Sequence, residues 1–177
     1  MKLHADITII KSQQGCGGTH LLKTIHGQLI QQRESVLYLL AESLCDNQKV
    51  LFNNLKGKSF LLIDDLDYLI RRNDNACLSW LKSFLKKFIG GGGKFVFSHT
   101  SQNLTANVVS KYIGNYSINE INCNYPSLKI LKAIALQYVS VNVLNEYSEE
   151  AYKLSNNIRG VLNVLITYKA KDQLGLL

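Results

Sequence analysis

The apolar and polar positions of the chain form two patterns, short apolar runs and longer stretches with helical periodicity. Four of the runs are nearly continuous, whereas a strand with one solvent-facing side alternates between apolar and polar residues. They therefore predict buried strands of a parallel sheet at residues 6–10, 35–40, 60–63 and 94–98. A weaker run at residues 116–121 alternates and predicts a fifth strand.

Helical periodicity fills the intervals between these runs. Residues 19–30 place Leu22, Ile25 and Leu29 on one face, and residues 76–88 repeat apolar side chains at the same spacing. Strands that alternate with helices form right-handed βαβ units, in which helices cover both faces of the sheet. The pattern therefore predicts an α/β fold with a five-stranded parallel sheet and flanking helices.

A change of architecture is expected near Pro126, the only proline of the chain. The residues beyond it show no strand pattern, and residues 127–139, 148–154 and 157–168 repeat apolar side chains at helical spacing. We therefore expect an α/β base at residues 1–124, a small helical lid at residues 125–172 and a C-terminal tail at residues 173–177.

Length and composition fit one compact domain of 177 residues, of which 46% are hydrophobic and 19% charged. No apolar run approaches the roughly 20 residues that cross a bilayer, and residues 1–6 lack the pattern of a secretion signal. We therefore expect a cytoplasmic protein with no membrane partner. The net charge of +7 favours an acidic partner, either nucleic acid or an acidic protein surface.

The cysteines and histidines lack the spacing of metal ligands, and no CxxC pair occurs. We therefore expect reduced thiols and no zinc site. The residues concerned are Cys16, Cys45, Cys77, Cys123, His4, His20, His26 and His99.

A glycine-rich segment at residues 12–19 follows the first predicted strand and precedes the first predicted helix, where a phosphate-binding loop belongs. The loop pattern GxxxxGK[ST] requires a lysine for the outer phosphates, but Gly18 stands at that position and Ser12 replaces the first glycine. Thr19 is placed to meet a magnesium ion, and the backbone amides of residues 15–19 are placed to face an anion. From this pattern alone, a plain glycine turn and a nucleotide site both stay open.

Two acids, Asp64 and Asp65, follow the third predicted strand. P-loop proteins use this position to present one carboxylate to magnesium and another to a water molecule. The alternative is a pair of solvated acids at a strand end. The preceding glycine-rich loop and the spacing favour the P-loop interpretation.

Four segments of the chain share a pattern with one known family. They are residues 17–22, 61–69, 97–101 and 155–159. Together they resemble the AAA+ module of the bacterial replication initiator DnaA and its relative Hda, in which they correspond, in this order, to the Walker A loop, Walker B, sensor 1 and sensor 2. They span nearly the whole chain.

The resemblance implies an AAA+ P-loop fold, ATP or ADP with magnesium as the cofactor, and a defined set of site residues. Thr19 and Asp64 would hold the metal, Asp65 would be the catalytic residue that positions the attacking water of an ATPase, and Arg159 would be the sensor 2 arginine. The remaining nucleotide contacts implied are Gly15, Gly17 and Gly18.

Several features depart from the family pattern. The Walker A lysine is absent, residues 1–11 leave no room for the family's adenine-holding segment, and the arginine-finger position is Lys111. A lysine keeps the positive charge but loses the planar fork of arginine. We therefore expect a poor or inactive ATPase, with no cofactor assigned firmly.

The short interval at residues 43–58 leaves no room for DnaA's helical insertion, and the chain given ends after the predicted lid. It therefore resembles the short Hda-like regulators more than the initiator. Its last residues resemble a sliding-clamp-binding peptide, in which Leu176 and Leu177 would enter an apolar pocket and Gln173 would bond at the rim. The alternative is that Leu174, Leu176 and Leu177 pack on the lid.

Three functions remain open from the sequence. The first is an adaptor that regulates initiation of chromosomal replication through DnaA, or a related AAA+ protein, and the sliding clamp, with DNA contacted indirectly. The second is a compact ATPase whose lysine comes from elsewhere, for which Lys11 and Lys23 are nearby candidates. The third is a basic, non-catalytic DNA-binding module. Self-association also remains open.

Overall fold

The computed structural model describes residues 4–46, 57–72, 74–100, 104–114, 116–155 and 157–174. Five strands form one sheet, and their bounds are β1 Ile7–Ser12, β2 Val36–Leu40, β3 Phe60–Asp64, β4 Lys94–His99 and β5 Ile118–Cys123. Their order is β2-β3-β4-β1-β5, with parallel pairing of β2 with β3, β3 with β4 and β4 with β1. The α/β prediction is confirmed.

Helices accompany this sheet, as the alternating pattern predicted. Asp74 caps the fourth of them by accepting a hydrogen bond from the Cys77 amide at 2.9 Å, and such a cap satisfies an otherwise unpaired donor. The helices are α1 Gly18–Gln31, α2 Glu42–Asp46, α3 Asp67–Arg71, α4 Asn75–Gly90 and α5 Ala106–Ile113.

The main core lies between one face of the sheet and helices α3 and α4. Successive strand residues point to opposite faces, so every second residue of β1, β3 and β4 enters this core. Helix α1 packs against the same strands and buries Leu22, Ile25 and Leu29. The core strand residues are Ile7, Ile9, Leu61, Ile63, Phe95 and Phe97.

Strand β2 departs from its predicted burial. The continuous apolar run at residues 35–40 predicted a fully buried strand, but residues 36–39 are half-buried and Leu40 is 49% exposed. The reason is topological, because β2 lies at one edge of the sheet and has a single neighbour, β3. A continuous apolar run therefore does not by itself distinguish a central strand from an edge strand.

The region after Pro126 is helical, as predicted, with α6 Leu128–Ala135, α7 Val141–Leu154 and α8 Ile158–Gln173. Its core is separate from that of the sheet and includes Leu131, Val143, Leu144, Val161 and Leu165. Helix α7 begins at Val141 instead of residue 148, because Ser140 caps it by accepting from the Val143 amide at 3.4 Å. Val143 and Leu144 at its start are apolar and buried, so the periodicity at residues 148–154 underestimated the length of this helix.

The chain divides into two compact units. The first contains Met1–Ser12 and Gly18–Asn122, and the second contains Gln13–Gly17 and Cys123–Leu177. Residues 13–17 of the glycine-rich segment thus group with the helical region, whereas Ser12, Gly18 and Thr19 belong to the first unit. Within the described residues, no helix is both long and apolar enough to cross a membrane.

Candidate functional site

Asp64 is the centre of a polar cluster at the end of β3. Although it is a carboxylate, it is only 3% exposed. Its Oδ1 accepts hydrogen bonds from Ser98 Oγ and, at 3.2 Å, from Thr19 Oγ1, while its Oδ2 accepts from Tyr38 Oη at 2.9 Å. Three hydroxyl groups therefore compensate the removal of this carboxylate from water.

The parallel sheet explains why these side chains meet. Tyr38 and Ser98 lie on β2 and β4, the two strands beside β3, and Thr19 lies in the first turn of α1. The carboxyl ends of parallel strands share one edge of the sheet, where the site of an open α/β fold forms. Burial, together with the hydrogen bond to Asp64 and its charge, raises the pKa of Tyr38, so this hydroxyl stays protonated and acts as a donor.

Asp65 follows in a left-handed conformation, with φ of 56°, which aspartate adopts more readily than most residues. Its amide donates to Ser98 Oγ at 3.0 Å. Its carboxylate accepts from Arg71 Nη2 at 3.0 Å, and the same guanidinium donates through Nη1 to Asp67 at 2.7 Å. Arg71 therefore links both acids.

Asp67 is 2% exposed and also accepts a hydrogen bond from Thr100 Oγ1 at 2.9 Å. Burial, followed by the hydrogen bond and charge of Asp67, raises the pKa of Asp65 to about 6, although Arg71 opposes the shift. Burial would also raise the pKa of Asp67, but hydrogen bonds from Asp65 and Thr100 and the charge of Arg71 lower it. Of the two acids, Asp65 is therefore the one that takes up a proton first as the pH falls.

The lysine position of the loop pattern is closely packed against the first position. A Cβ atom at Gly18 would lie 2.3 Å from Ser12 Oγ and 3.0 Å from Ser12 Cβ. Real Cβ atoms essentially never make non-bonded contacts under 3.0 Å, so Ser12 would have to shift. Ser12 therefore fills the space in which a side chain at position 18 would begin.

The remaining loop residues pack within the second unit. Gly15 and Gly17 have φ values of 77° and 97°, which glycine adopts without strain. A Cβ at Gly15 would lie 2.8 Å from Asn157 Oδ1, an atom that accepts from the Gly160 amide at the start of α8. Cys16 is buried, and burial raises the pKa of its thiol, so the thiol stays protonated and poorly nucleophilic.

The other predicted site residues lie on α5, on α8 and in the last residues of the chain. Arg159 is exposed in the first turn of α8, and Gln173 and Leu174 are exposed at its end. Lys111 belongs to α5, but its side chain lies outside the described residues, as do Leu176 and Leu177. No group of three acidic, histidine or cysteine side chains forms a metal site among the residues that the structure describes.

Sequence reasoning missed several members of the cluster. The sequence could have indicated Tyr38, since it is the one polar side chain in the middle of an apolar strand run. For Asp67 and Arg71 the indication is weaker: their four-residue spacing places two side chains on one helix face. Neither spacing nor composition indicated that Ser12 and Gly18 are neighbours.

The loop pattern implies ATP with Mg²⁺, and the residues present fit this group only in part. The Thr19 hydroxyl and the Asp64 carboxylate are adjacent, and Mg²⁺ prefers such oxygen ligands. Position 18, however, carries no ammonium group for the outer phosphates, and Ser12 fills the space there. Asp65 is held by Arg71. The residues thus keep two oxygen ligands that could hold the metal but lack the cationic contacts on which phosphoryl transfer depends.

Comparison with known proteins identifies the fold. No family model matches the chain, and no curated protein matches it by sequence. Domain III of the Thermotoga maritima replication initiation protein DnaA superposes with a TM-score of 0.74 at 19% identity, covering 97% of this chain and 79% of that chain.

Two larger proteins are also similar. AMPPCP-bound DnaA from Aquifex aeolicus has a TM-score of 0.77 at 17% identity, covering 96% of this chain and 57% of that chain. The Aeropyrum pernix ORC1 protein in complex with DNA has a TM-score of 0.63 at 12% identity, covering 95% of this chain and 55% of that chain. The chain thus spans little more than half of these two.

The sheet order, the acids at the end of β3 and the separate helical unit are features of an α/β fold. The superpositions on DnaA show that this fold is DnaA-related and of the AAA+ type.

Proposed function

We propose that the protein is a cytoplasmic, Hda-like adaptor that regulates initiation of chromosomal replication. In this role it contacts DnaA, or a related AAA+ protein, and the sliding clamp, and it reaches DNA through them. The AAA+ fold serves as a binding scaffold and does not hydrolyse ATP.

The packing of Ser12 against Gly18 carries this proposal. A hydrolytic P-loop needs a lysine at position 18, and here that position has neither the ammonium group nor the space for a side chain. The rest of the fold is preserved, including the buried Asp64 and its three hydroxyl donors. If the protein acts only by binding, we expect the fold to be kept while the lysine needed for phosphate transfer is lost.

The end of α8 supports contact with the clamp. Leu174 is 71% exposed, so its side chain does not pack on the lid core. Gln173 is also exposed. A short segment with exposed glutamine and leucine side chains suits a small, exchangeable interaction with an apolar pocket.

The first experiment measures ATP turnover by DnaA from the same organism, with and without this protein. An adaptor changes the DnaA rate while it shows no turnover of its own. Lys111→Ala is the informative variant, because the arginine-finger position would face the partner's nucleotide, and Lys153→Ala is the matched control. An unchanged DnaA rate, together with no binding to DnaA, contradicts the proposal.

The second experiment measures binding to the immobilised clamp by surface plasmon resonance. The full chain is expected to bind, and a chain lacking residues 173–177 is not. Gln173→Ala with Leu177→Ala should reproduce the loss without truncation, whereas Lys171→Ala should leave binding intact. Equal binding by all of these chains would show that the tail is not the clamp contact.

The compact ATPase is the second candidate, favoured by the adjacent Thr19 and Asp64 oxygens. It predicts turnover by the purified protein that Asp65→Asn abolishes, with Lys11 or Lys23 replacing the missing lysine. Calorimetric titration with ATP and Mg²⁺ separates the two functions, since an ATPase must bind the nucleotide. A DNA-binding module predicts instead an affinity that falls steeply with added salt.

A further inference from the structure

Asp65 and Asp67 form a polar cluster with Arg71 and Thr100 at the start of α3. The two carboxyl groups are close enough to share a hydrogen bond. The Arg71 guanidinium bridges them, with Nη2 at 3.0 Å from Asp65 Oδ2 and Nη1 at 2.7 Å from Asp67 Oδ2. Thr100 Oγ1 also donates to Asp67 Oδ2, at 2.9 Å. Two carboxylates thus share a single guanidinium.

This cluster carries more negative than positive charge. Burial raises the pKa of Asp65, Asp67 raises it further, and Arg71 lowers it. The neighbouring Arg72 is engaged elsewhere, since it donates to the Tyr68 hydroxyl at 2.9 Å and lies over that ring. When both acids are ionised, the Arg71 guanidinium balances only one of their two negative charges. The pair therefore attracts a further or stronger cation.

A buried oxygen of Asp67 gives independent evidence that the cluster accepts a ligand. Asp67 is 2% exposed, and its hydrogen bonds from Arg71 and Thr100 both end on Oδ2. Its Oδ1 is buried as well, and it accepts no hydrogen bond from the residues that the structure describes. A buried polar atom without a partner costs free energy. A cation beside Oδ1 would remove this cost.

The ligand atoms define the class of cation. Mg²⁺ usually binds proteins through one or two carboxylates and keeps several water molecules in its octahedral shell, and Mn²⁺ accepts the same oxygen ligands. Asp65, Asp67 and the Thr100 hydroxyl supply such a set. An ion bound there would displace the guanidinium, because two cations at this distance repel each other.

Arg71 is able to leave the acids at low cost. Its side chain is 55% exposed, and it lies in the last turn of the five-residue helix α3. An exposed ion pair contributes little to stability, so its loss does not disturb the core. The Asp67 side chain, by contrast, is 3% exposed. The acid therefore stays in place while the arginine exchanges.

We propose that Asp65, Asp67 and Thr100 form a divalent-cation site for which Arg71 and the metal ion are alternative occupants. While the guanidinium bridges the acids, the site is closed to metal; when the ion binds, Arg71 is released to solvent. The site shares no ligand with the Thr19 and Asp64 pair. The contacts of the proposed function do not depend on it, so either proposal can fail without the other.

Mn²⁺ binding, followed by electron paramagnetic resonance, tests the proposal at a pH well above 6, the approximate pKa of Asp65. Arg71→Gln removes the competing cation, so Mn²⁺ affinity is expected to rise at least about tenfold above that of the parent. Arg72→Gln is the matched control, because this adjacent arginine contacts Tyr68, and it should leave the affinity unchanged. No gain in Arg71→Gln, or an equal gain in Arg72→Gln, would overturn the proposal.

A second substitution locates the ion. Asp67→Asn in the Arg71→Gln background is expected to abolish the gained affinity, and Mn²⁺ should broaden the amide signals of Asp65, Asp67 and Thr100 most strongly in NMR spectra. If the gain survived Asp67→Asn and the broadening centred on Thr19, the ion would belong to the loop-pattern site and the proposal would be wrong.

The parent protein supplies a test that needs no substitution. As Mg²⁺ is added, the Nε–H signal of Arg71 is expected to move toward that of a free arginine, because the guanidinium leaves the two acids. The Nε–H signal of Arg72 is the internal control and should stay in place. An Arg71 signal that does not move at high Mg²⁺ concentration would show that the metal ion does not replace the guanidinium.

Discussion

Ser12 and Gly18 are in contact: a Cβ atom at Gly18 would lie 2.3 Å from Ser12 Oγ. Gly18 has no left-handed backbone angle, so close packing, not conformation, requires glycine at this position. The two departures from the P-loop pattern are therefore linked. A serine at the first position and the loss of the lysine side chain at position 18 form one compatible pair.

Gly18→Ala is expected to destabilise the protein by about 1–3 kcal/mol, because the added methyl group overpacks the contact with Ser12. Adding Ser12→Gly should recover most of this loss, since it removes the clashing hydroxyl. Urea unfolding of the parent, both single variants and the double variant measures the coupling. Additive effects of the two substitutions would show that the contact carries no strain.

Restoring the pattern tests the nucleotide site. The double variant Ser12→Gly and Gly18→Lys regains both the space and the ammonium group, so we expect ATP affinity at least about tenfold above that of the parent. Ser12→Gly with Gly18→Gln is the matched control, because it supplies a long side chain without charge. Calorimetric titration with ATP and Mg²⁺ measures the three proteins.

Tight ATP binding by the parent itself would contradict the interpretation of position 18. It would show that another group replaces the lysine, and the ATPase would then become the leading function. Equal affinities of the lysine and glutamine variants would instead show that space, not charge, limits binding.

Much of the fold could be predicted because each strand is a short apolar run between helical patterns. Strand β3 is an example, since its run ends at two acids in both sequence and structure. The edge position of β2 could not be predicted, because strand order depends on long-range pairing that an apolar run does not encode. The start of α7 was missed because the helix begins at a serine cap, Ser140, which hydrophobic periodicity does not mark.

The candidate site was predictable only where a motif fixes a position. Thr19 and Asp64 were expected to lie together, and the Thr19 Oγ1 atom is 3.2 Å from Asp64 Oδ1. The contact between Asp65 and Arg71 was not expected. It forms because the backbone turns at Asp65, with φ of 56°, and helix α3 then places Arg71 beside the Asp65 carboxylate. Side chains brought together by a turn carry no periodic signal.

Tyr38→Phe tests whether Asp64 depends on its hydroxyl donors. Removal of the hydroxyl leaves Asp64 Oδ2 without its donor in a buried setting, and this loss is expected to cost about 1–3 kcal/mol. Urea unfolding measures the change. Tyr138→Phe is the control, because this half-exposed ring should tolerate the same change within about 0.5 kcal/mol. Equal stability of both variants would show that the Tyr38 contact contributes nothing.

Asp65→Asn should change how stability depends on pH. The pKa of Asp65 is about 6 in the folded protein and 3.8 ordinarily, so the fold favours the protonated form. Its contribution is fully present below about pH 4 and is lost as pH rises through 6. Asparagine mimics the protonated form, so the variant should match the parent near pH 4 and exceed it above pH 6.

The gain should not exceed about 1 kcal/mol, because Asp65 is half-exposed and its charge is screened by solvent. Arg71→Gln should have a different effect. Because the Arg71 guanidinium lowers the pKa of Asp65, its loss should raise this pKa further and move the pH-dependent loss of stability to higher pH than in the parent. Thermal unfolding between pH 4 and pH 8 measures both variants. The pKa of Asp67 lies below its ordinary 3.8, so this group does not titrate in the measured range. If the stability difference between Asp65→Asn and the parent did not change with pH, Asp65 would ionise without cost to the fold.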